Sequence, residues 1–472
     1  MRRLAGWMGA TGAALAVFVA GDLARAGEPV AGAATGGLPD LVERGAPDAD
    51  ATAPAGPPTA PTESPAPPAE AAAKPDGNPL AFDVGNGFVL TPNAQYLLRY
   101  RYHQGHDFSE GNNANTLRHR ARLGLDVTFD ETVGVFVQLQ DVRLFGEERN
   151  TLGDYSADGF DLHQGFAHVT PTKGLEFRLG RQEIAYENHR LIGTVGWVEQ
   201  ARAFDALRVS LDRGVLHWDA FYSKTGENAS ATTNADGEPF HTGDKDVMAF
   251  NLHVDPIEEL GIGAIGVADM DWGVDRRLYT AGLLASAKLP AGISVGVEGY
   301  YQFGAARGDV EHSAYFLGAQ AKAVFDVPTT PFLQLFGDFS SGDDDTTDTT
   351  VKVFDTLYAT NHKFYGESDF FLNLPLNTGG RGLRDTGAKI GLRPIEMLQA
   401  EATYHLFGAM AVQADDLATF GHEVDVKVAL KPWKPFSWDL VYALFVPEDI
   451  FEAGVADPRP EHFVYSTASV TF

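Results

Sequence analysis

The chain has 472 residues, with 64 aspartates and glutamates against 36 lysines and arginines, and a formal net charge of −28. That balance excludes general nucleic-acid binding, which needs a basic footprint. It has no cysteine, and therefore no disulfide framework, thiolate nucleophile or cysteine metal site.

Arg2 and Arg3 precede an apolar run from Leu4 to Ala20, and Ala24-Arg25-Ala26 then supplies small residues around a cleavage point. The pattern predicts a secretory signal peptide over 1–26, too short for a comfortable membrane span. Residues 27–92 follow, with "APAGPPTAPTESPAPPAEAAAKP" at their centre. Such a composition cannot bury enough apolar surface to offset its ordering entropy, so a disordered periplasmic segment is expected.

From about residue 93 to the end the dominant period is two. "QYLLRYRYH" sets Tyr96, Leu98, Tyr100 and Tyr102 against Arg99 and Arg101. "ISVGVEGYYQF" sets Ile293, Val295, Val297 and Tyr301 against Ser294, Glu298 and Gln302. Alternation of this kind marks half-buried strands, and eighteen such segments run from 94–103 to 462–472. Turn-like links ("FDET", "TPTKG", "LDRG", "LPAG") alternate with long ones at 143–161, 184–204, 224–245, 340–385 and 447–461. An even strand count with short turns at one end and long loops at the other predicts an all-β transmembrane antiparallel barrel over 93–472, both termini periplasmic, in a bacterial outer membrane. Phe472 ends the final strand, and Trp218, Trp272, Tyr300, Tyr301, Trp438 and Tyr442 are candidates for interfacial girdles.

The stretch "TLRHRARLGLDVTF" then has a direction. An arginine facing lipid costs roughly 2–4 kcal/mol at mid-membrane, so Arg118, Arg120 and Arg122 must face the lumen while Leu117, Leu123, Leu125, Val127 and Phe129 face lipid. The same reasoning turns Arg99, Arg101, Arg178 and Arg208 inward, and leaves His119 on the lipid side near the outer interface. Arg181, Arg190 and Arg202 fall in or beside a loop that could fold into the bore and narrow it. Surplus negative charge sits elsewhere, notably at Asp343, Asp344, Asp345, Glu423 and Asp425.

Two enzyme-like strings lack their context. "GISVG" places Ser294 within an alternating strand rather than a strand-to-helix elbow. "GIGAIG" at 261–266 has no βαβ unit around it. The acidic run at 340–350 could ligate calcium but lacks the spacing of a calcium loop, so a solvated loop is expected. The histidines show no zinc spacing. No catalytic residue, metal site or cofactor is expected.

"RLGRQEIAYENHRLIG" (178–193) with Trp197, "RAFDALR" (202–208) and "LYATNHKFYGESDFF" (357–371) together resemble the alginate-export family of outer-membrane porins. The resemblance implies an eighteen-stranded barrel with an arginine-rich lumen that passes an anionic polysaccharide. On it, Arg181, Gln182, Glu183, Arg190, Asp205, Arg208, His362 and Asp369 match family motif positions. Glu187 and His189 depart from the usual turn, and "GESDFF" is an acidic variant. The expected function is a passive, anion-preferring channel for an acidic oligo- or polysaccharide such as alginate, with a general or small-organic-anion porin as the alternative. Rivals of other classes are a non-conducting structural barrel and an outer-membrane enzyme. Expected partners are membrane lipid and lipopolysaccharide, the anionic solute and a periplasmic protein, but no nucleic acid. A monomer is implied by the resemblance.

Overall fold

The computed structural model describes residues 80–146, 159–226, 231–233, 239–241 and 243–472. The expected signal peptide and most of the proline-rich segment lie outside the described residues. The body consists of β1 (Phe88–Gln104), β2 (Asn113–Phe129), β3 (Val133–Leu144), β4 (Phe160–Thr172), β5 (Leu175–Gln182) and β6 (Phe204–Asp212). Next come β7 (Leu216–Gly226), β8 (Lys245–Ile257), β9 (Leu260–Asp271), β10 (Arg276–Leu289), β11 (Ile293–Arg307) and β12 (Val310–Val324). The last six are β13 (Phe332–Ser340), β14 (Leu383–Ile395), β15 (Leu398–Gly408), β16 (Thr419–Trp433), β17 (Phe436–Pro447) and β18 (Glu461–Thr471). Each pairs antiparallel with the next, and β18 returns to β1 from Gln95 opposite Thr471 to Gln104 opposite His462. The sheet therefore closes on itself and leaves no open edge, the condition for β-structure in hydrocarbon.

The eighteen strands expected from period two are the eighteen observed. The outward rows stand bare, as lipid contact requires: Leu123 is 66% exposed and Leu283 69%. Inward rows are polar or packed. Among the described residues no helix is long and apolar enough to cross a membrane. One end carries tight turns such as 173–174 and 434–435, and the other carries 105–112, 183–203, 341–382, 409–418 and 448–460. Two links at that second end, 272–275 and 308–309, are also tight.

Three details differ from expectation. β1 starts at Phe88 rather than near 94, because Phe88 and Leu90 continue the outward row opposite Phe129 and Val127. A short strand, Phe82–Gly85, folds back on it within the segment expected to be disordered. Tyr300 is not in a girdle. It shares the inward row of β11 with Glu298 and Gln302, is 4% exposed, and donates its hydroxyl to Glu298 at 2.6 Å.

Candidate functional site

The connections 183–203 and 341–382 fold into the barrel and meet there. Tyr358 N donates to Leu191 O at 3.0 Å, Gly193 N to Tyr358 O at 2.8 Å and Thr360 N to His189 O at 3.0 Å. Ile192 and Tyr358 thus form a small parallel bridge. Apolar side chains hold the pair in place. Ile184, Leu191, Ile192 and Phe354 pack against the inward Phe221, Val247, Ile265 and Phe316, while Phe371 and Leu374 pack against Phe407, Phe420 and Phe445. Burying each such side chain contributes about 1.5–3 kcal/mol, so the constriction is anchored mainly by the hydrophobic effect.

Charge adds direction to this anchoring. Glu199, buried in the first loop, accepts from Arg99 Nη1 at 2.9 Å, Arg101 Nη2 at 3.4 Å and Arg118 Nη1 at 3.5 Å. Burial would raise its pKa, but the three guanidinium groups hold it below the usual glutamate range. Arg120 donates to the main-chain oxygens of Gly196 and Glu199, both at 3.3 Å. Arg122 donates to Gln140 at 2.7 Å and to Glu183 at 3.1 Å, and Glu183 also meets His163 at 2.6 Å. Against the effect of burial, Arg122 and His163 hold the Glu183 carboxyl down at about 2. Trp197 joins the two loops to the wall. Its indole lies 4.1 Å from the Arg99 guanidinium and 4.3 Å from that of Arg101, stacks on His362 at 3.9 Å, and donates to Asp369 at 2.7 Å. His362 also contacts Asp369 through Nδ1 and Glu367 through Nε2 at 3.1 Å.

The other arginines divide into four kinds. Arg190 ties the first loop to one side of the wall, with Glu298 at 2.9 Å and Asp338 at 2.8 Å. Arg202 donates to the carbonyls of Gly193 and Tyr358. Arg178 and Arg208 face each other across β5 and β6 and are tied to Glu176 at 2.9 Å and Asp219 at 2.7 Å, low in the wall. Arg181 corrects the expectation: it follows Phe177 and Leu179 on the outward row and pairs with Asp205 at 3.1 Å near the outer rim. There, close to water, the cost of a charge on the lipid side falls to about 0–1 kcal/mol. Gln182 is fully buried and donates to Ala206 O at 3.1 Å, a structural role.

The arginines gathered at the constriction are therefore largely clamps on the loops. The open space beneath, ≈ 530 Å³, is bordered by Arg99 and Arg190 again and by a further set of cations, Lys322, Lys389 and Lys427, interspersed with carboxylates that include Glu187, Glu298, Asp338, Glu367, Glu401, Asp425 and Asp439. Lys322 lies opposite Gln334, which lies opposite Lys389, so these side chains share one level of the wall. This lysine arc was absent from the sequence reading although its signal was there. "AQAKAVF", "GAKIGL" and "VDVKVAL" each put one lysine on the inward parity of a strand. The acidic run 343–348 is partly offset by its own neighbour, since Lys352 reaches Asp344 at 3.3 Å and Asp348 at 3.0 Å.

A closed barrel with bare lipid-facing rows and a loop-narrowed lumen is the architecture of an outer-membrane channel. Solved porins share it. Pseudomonas aeruginosa OccK10 (OpdN) superposes with a TM-score of 0.55 at 12% identity, covering 81% of this chain and 99% of that one. OccK8 (OprE) of the same organism gives 0.54 at 11%, covering 81% and 98%, and P. aeruginosa OpdK, solved with vanillate, gives 0.51 at 13%, covering 81% and 98%. At these identities the likeness is one of fold. No curated protein sequence matches. Residues 90–424 match the Alginate export family, and the chain belongs to it.

Proposed function

We propose that this outer-membrane channel is passive and prefers carboxylate-bearing solutes of the acidic-saccharide class, drawn through the space beneath the two loops. The observation that carries this reading is the arc of Lys322, Lys389 and Lys427 on the inner wall of that space. Ammonium groups between low-dielectric walls raise the local anion concentration. As compact point charges they make no forked hold on a carboxylate, and Glu401, 3.6 Å from Lys389, competes for the same partner. Contacts stay multiple and brief, as conduction requires. The chemistry needs no nucleophile or cofactor. A monomer exported by residues 1–26, with 27–92 as a periplasmic tail, completes this reading.

A second reading, small organic anions, is favoured by size: ≈ 530 Å³ lies in the range of sites for single small molecules. The vanillate of the OpdK structure, an aromatic carboxylate, belongs to this class.

The test is the reversal potential of single channels in a planar bilayer under a potassium chloride gradient, before and after adding polyuronate or a monomeric uronate. Anion selectivity that Lys322→Glu, Lys389→Glu and Lys427→Glu together reverse supports the proposal. Block by polymer points to the saccharide reading, and block by monomer alone to the second. Cation selectivity in the unaltered protein overturns both.

A further inference from the structure

We propose that His103, His106 and Glu461 form a binding site for a divalent first-row transition ion, with zinc as its natural occupant, at the outer mouth of the barrel. His103 ends the inward row of β1, His106 follows in the 105–112 connection, and Glu461 opens β18. The Nδ1 atoms of His103 and His106 lie 2.9 and 2.7 Å from the same Glu461 oxygen, and the three donors fall within 4.8 Å of one another. The sequence hides this group, because the third member comes from the far end of the chain.

Three observations favour an ion over a simple hydrogen-bonded trio. The Glu461 side chain is wholly buried, yet its second oxygen, Oε2, has no hydrogen-bond partner among the described residues. A buried carboxylate oxygen left unmatched is costly, and a cation would satisfy it. Both imidazoles are also held by aromatic neighbours: His103 stacks on Phe463 at 3.9 Å and His106 on Phe370 at 5.5 Å. Finally, the His106 side chain is 44% exposed, which leaves an entry path. Two nitrogens and one carboxylate suit zinc, whereas calcium takes six to eight oxygens. Tetrahedral zinc at its usual bond lengths separates its donors by about 3.3 Å, so each histidine nitrogen need draw back from the Glu461 oxygen by only about half an ångström, and a fourth position is left for water. The ion would tie the first outer connection to the last strand. Phe370 on the in-folded 341–382 segment would pass that tie to the constriction.

The test uses the whole barrel, without a histidine tag, stripped with EDTA in detergent and titrated with zinc chloride by calorimetry. One equivalent should bind, and His106→Ala, at a half-exposed position that the fold tolerates, should weaken binding by at least tenfold. Copper(II) loaded into the same protein should show two imidazole nitrogens in its electron paramagnetic resonance spectrum, and one in the variant. No stoichiometric zinc binding, binding by His106→Ala and His103→Ala as tight as by the unaltered protein, or a copper spectrum without imidazole splitting would each overturn the proposal.

Discussion

Removing the charge of Glu199 tests the idea that the arginines hold the constriction. Glu199→Gln keeps the shape of the side chain but leaves Arg99, which is fully buried, and Arg101 and Arg118 without their shared anion. Breaking a buried ion pair costs about 3–5 kcal/mol, or roughly two to four decades in the ratio of docked to undocked loop. Against this stand Ile184, Leu191, Ile192 and Trp197, whose burial contributes about 6–12 kcal/mol in all at 1.5–3 kcal/mol each. The apolar term exceeds the lost pairing, so the loop stays docked on average and leaves its seat more often. Single-channel recordings should show rare full-bore openings at least a hundredfold more frequent than in the unaltered protein, with selectivity moved toward anions by the unmasked guanidinium groups. Unchanged opening frequency together with unchanged selectivity would refute the clamp.

Arg190→Met strands Glu298 and Asp338 in the interior, and the heat-induced shift in gel mobility should come earlier by the equivalent of about 3–5 kcal/mol; Arg181→Met, which loses only an exposed pair with Asp205, should change it by under about 1 kcal/mol. Burial alone would lower the pKa of His362, but Asp369 and Glu367 raise it above the ordinary 6.5 to about 9, so its stabilising charge is complete below 6.5 and is lost as pH rises through about 9. Current noise should therefore grow on the alkaline side near pH 9, and persistence of that transition in His362→Gln would refute the assignment. Gly366 has φ of +83° and a Cβ there would lie 2.3 Å from the Glu423 carboxylate that receives Ser368 N. Gly366→Ala should undock the 341–382 segment, seen as new protease cleavage within it.

The fold was legible because hydrocarbon imposes a rule on every strand: a residue facing lipid away from the interfaces must be apolar, so parity alone sorted Leu123 from Arg122 and Ile293 from Ser294. Parity also held the answer for Arg181, an even-to-odd step from Arg178, but the motif it sits in drew it inward. Tyr300 was misread because tyrosine is at home both in a girdle and in a packed lumen. What parity cannot supply is partnership. Glu199 belongs to the loop 183–203 and Arg99 to β1, and nothing local in either segment specifies the other. The lysine arc was missed for a different reason: its members lie on β12, β14 and β16, and each looks like a single polar residue in an apolar strand.

Arg99 donates through Nε to Thr467 on β18 at 2.9 Å and through Nη1 to the loop that carries Trp197. Tyr465, on the same final strand, donates to Glu367 of the second loop at 2.5 Å. A cylinder made from one chain cannot shut until its last strand reaches its first, and here that strand also delivers the final fastenings of what lies inside. The seam between β18 and β1 is thus also where the inner loops are fastened, so opening it would release the constriction together with the wall.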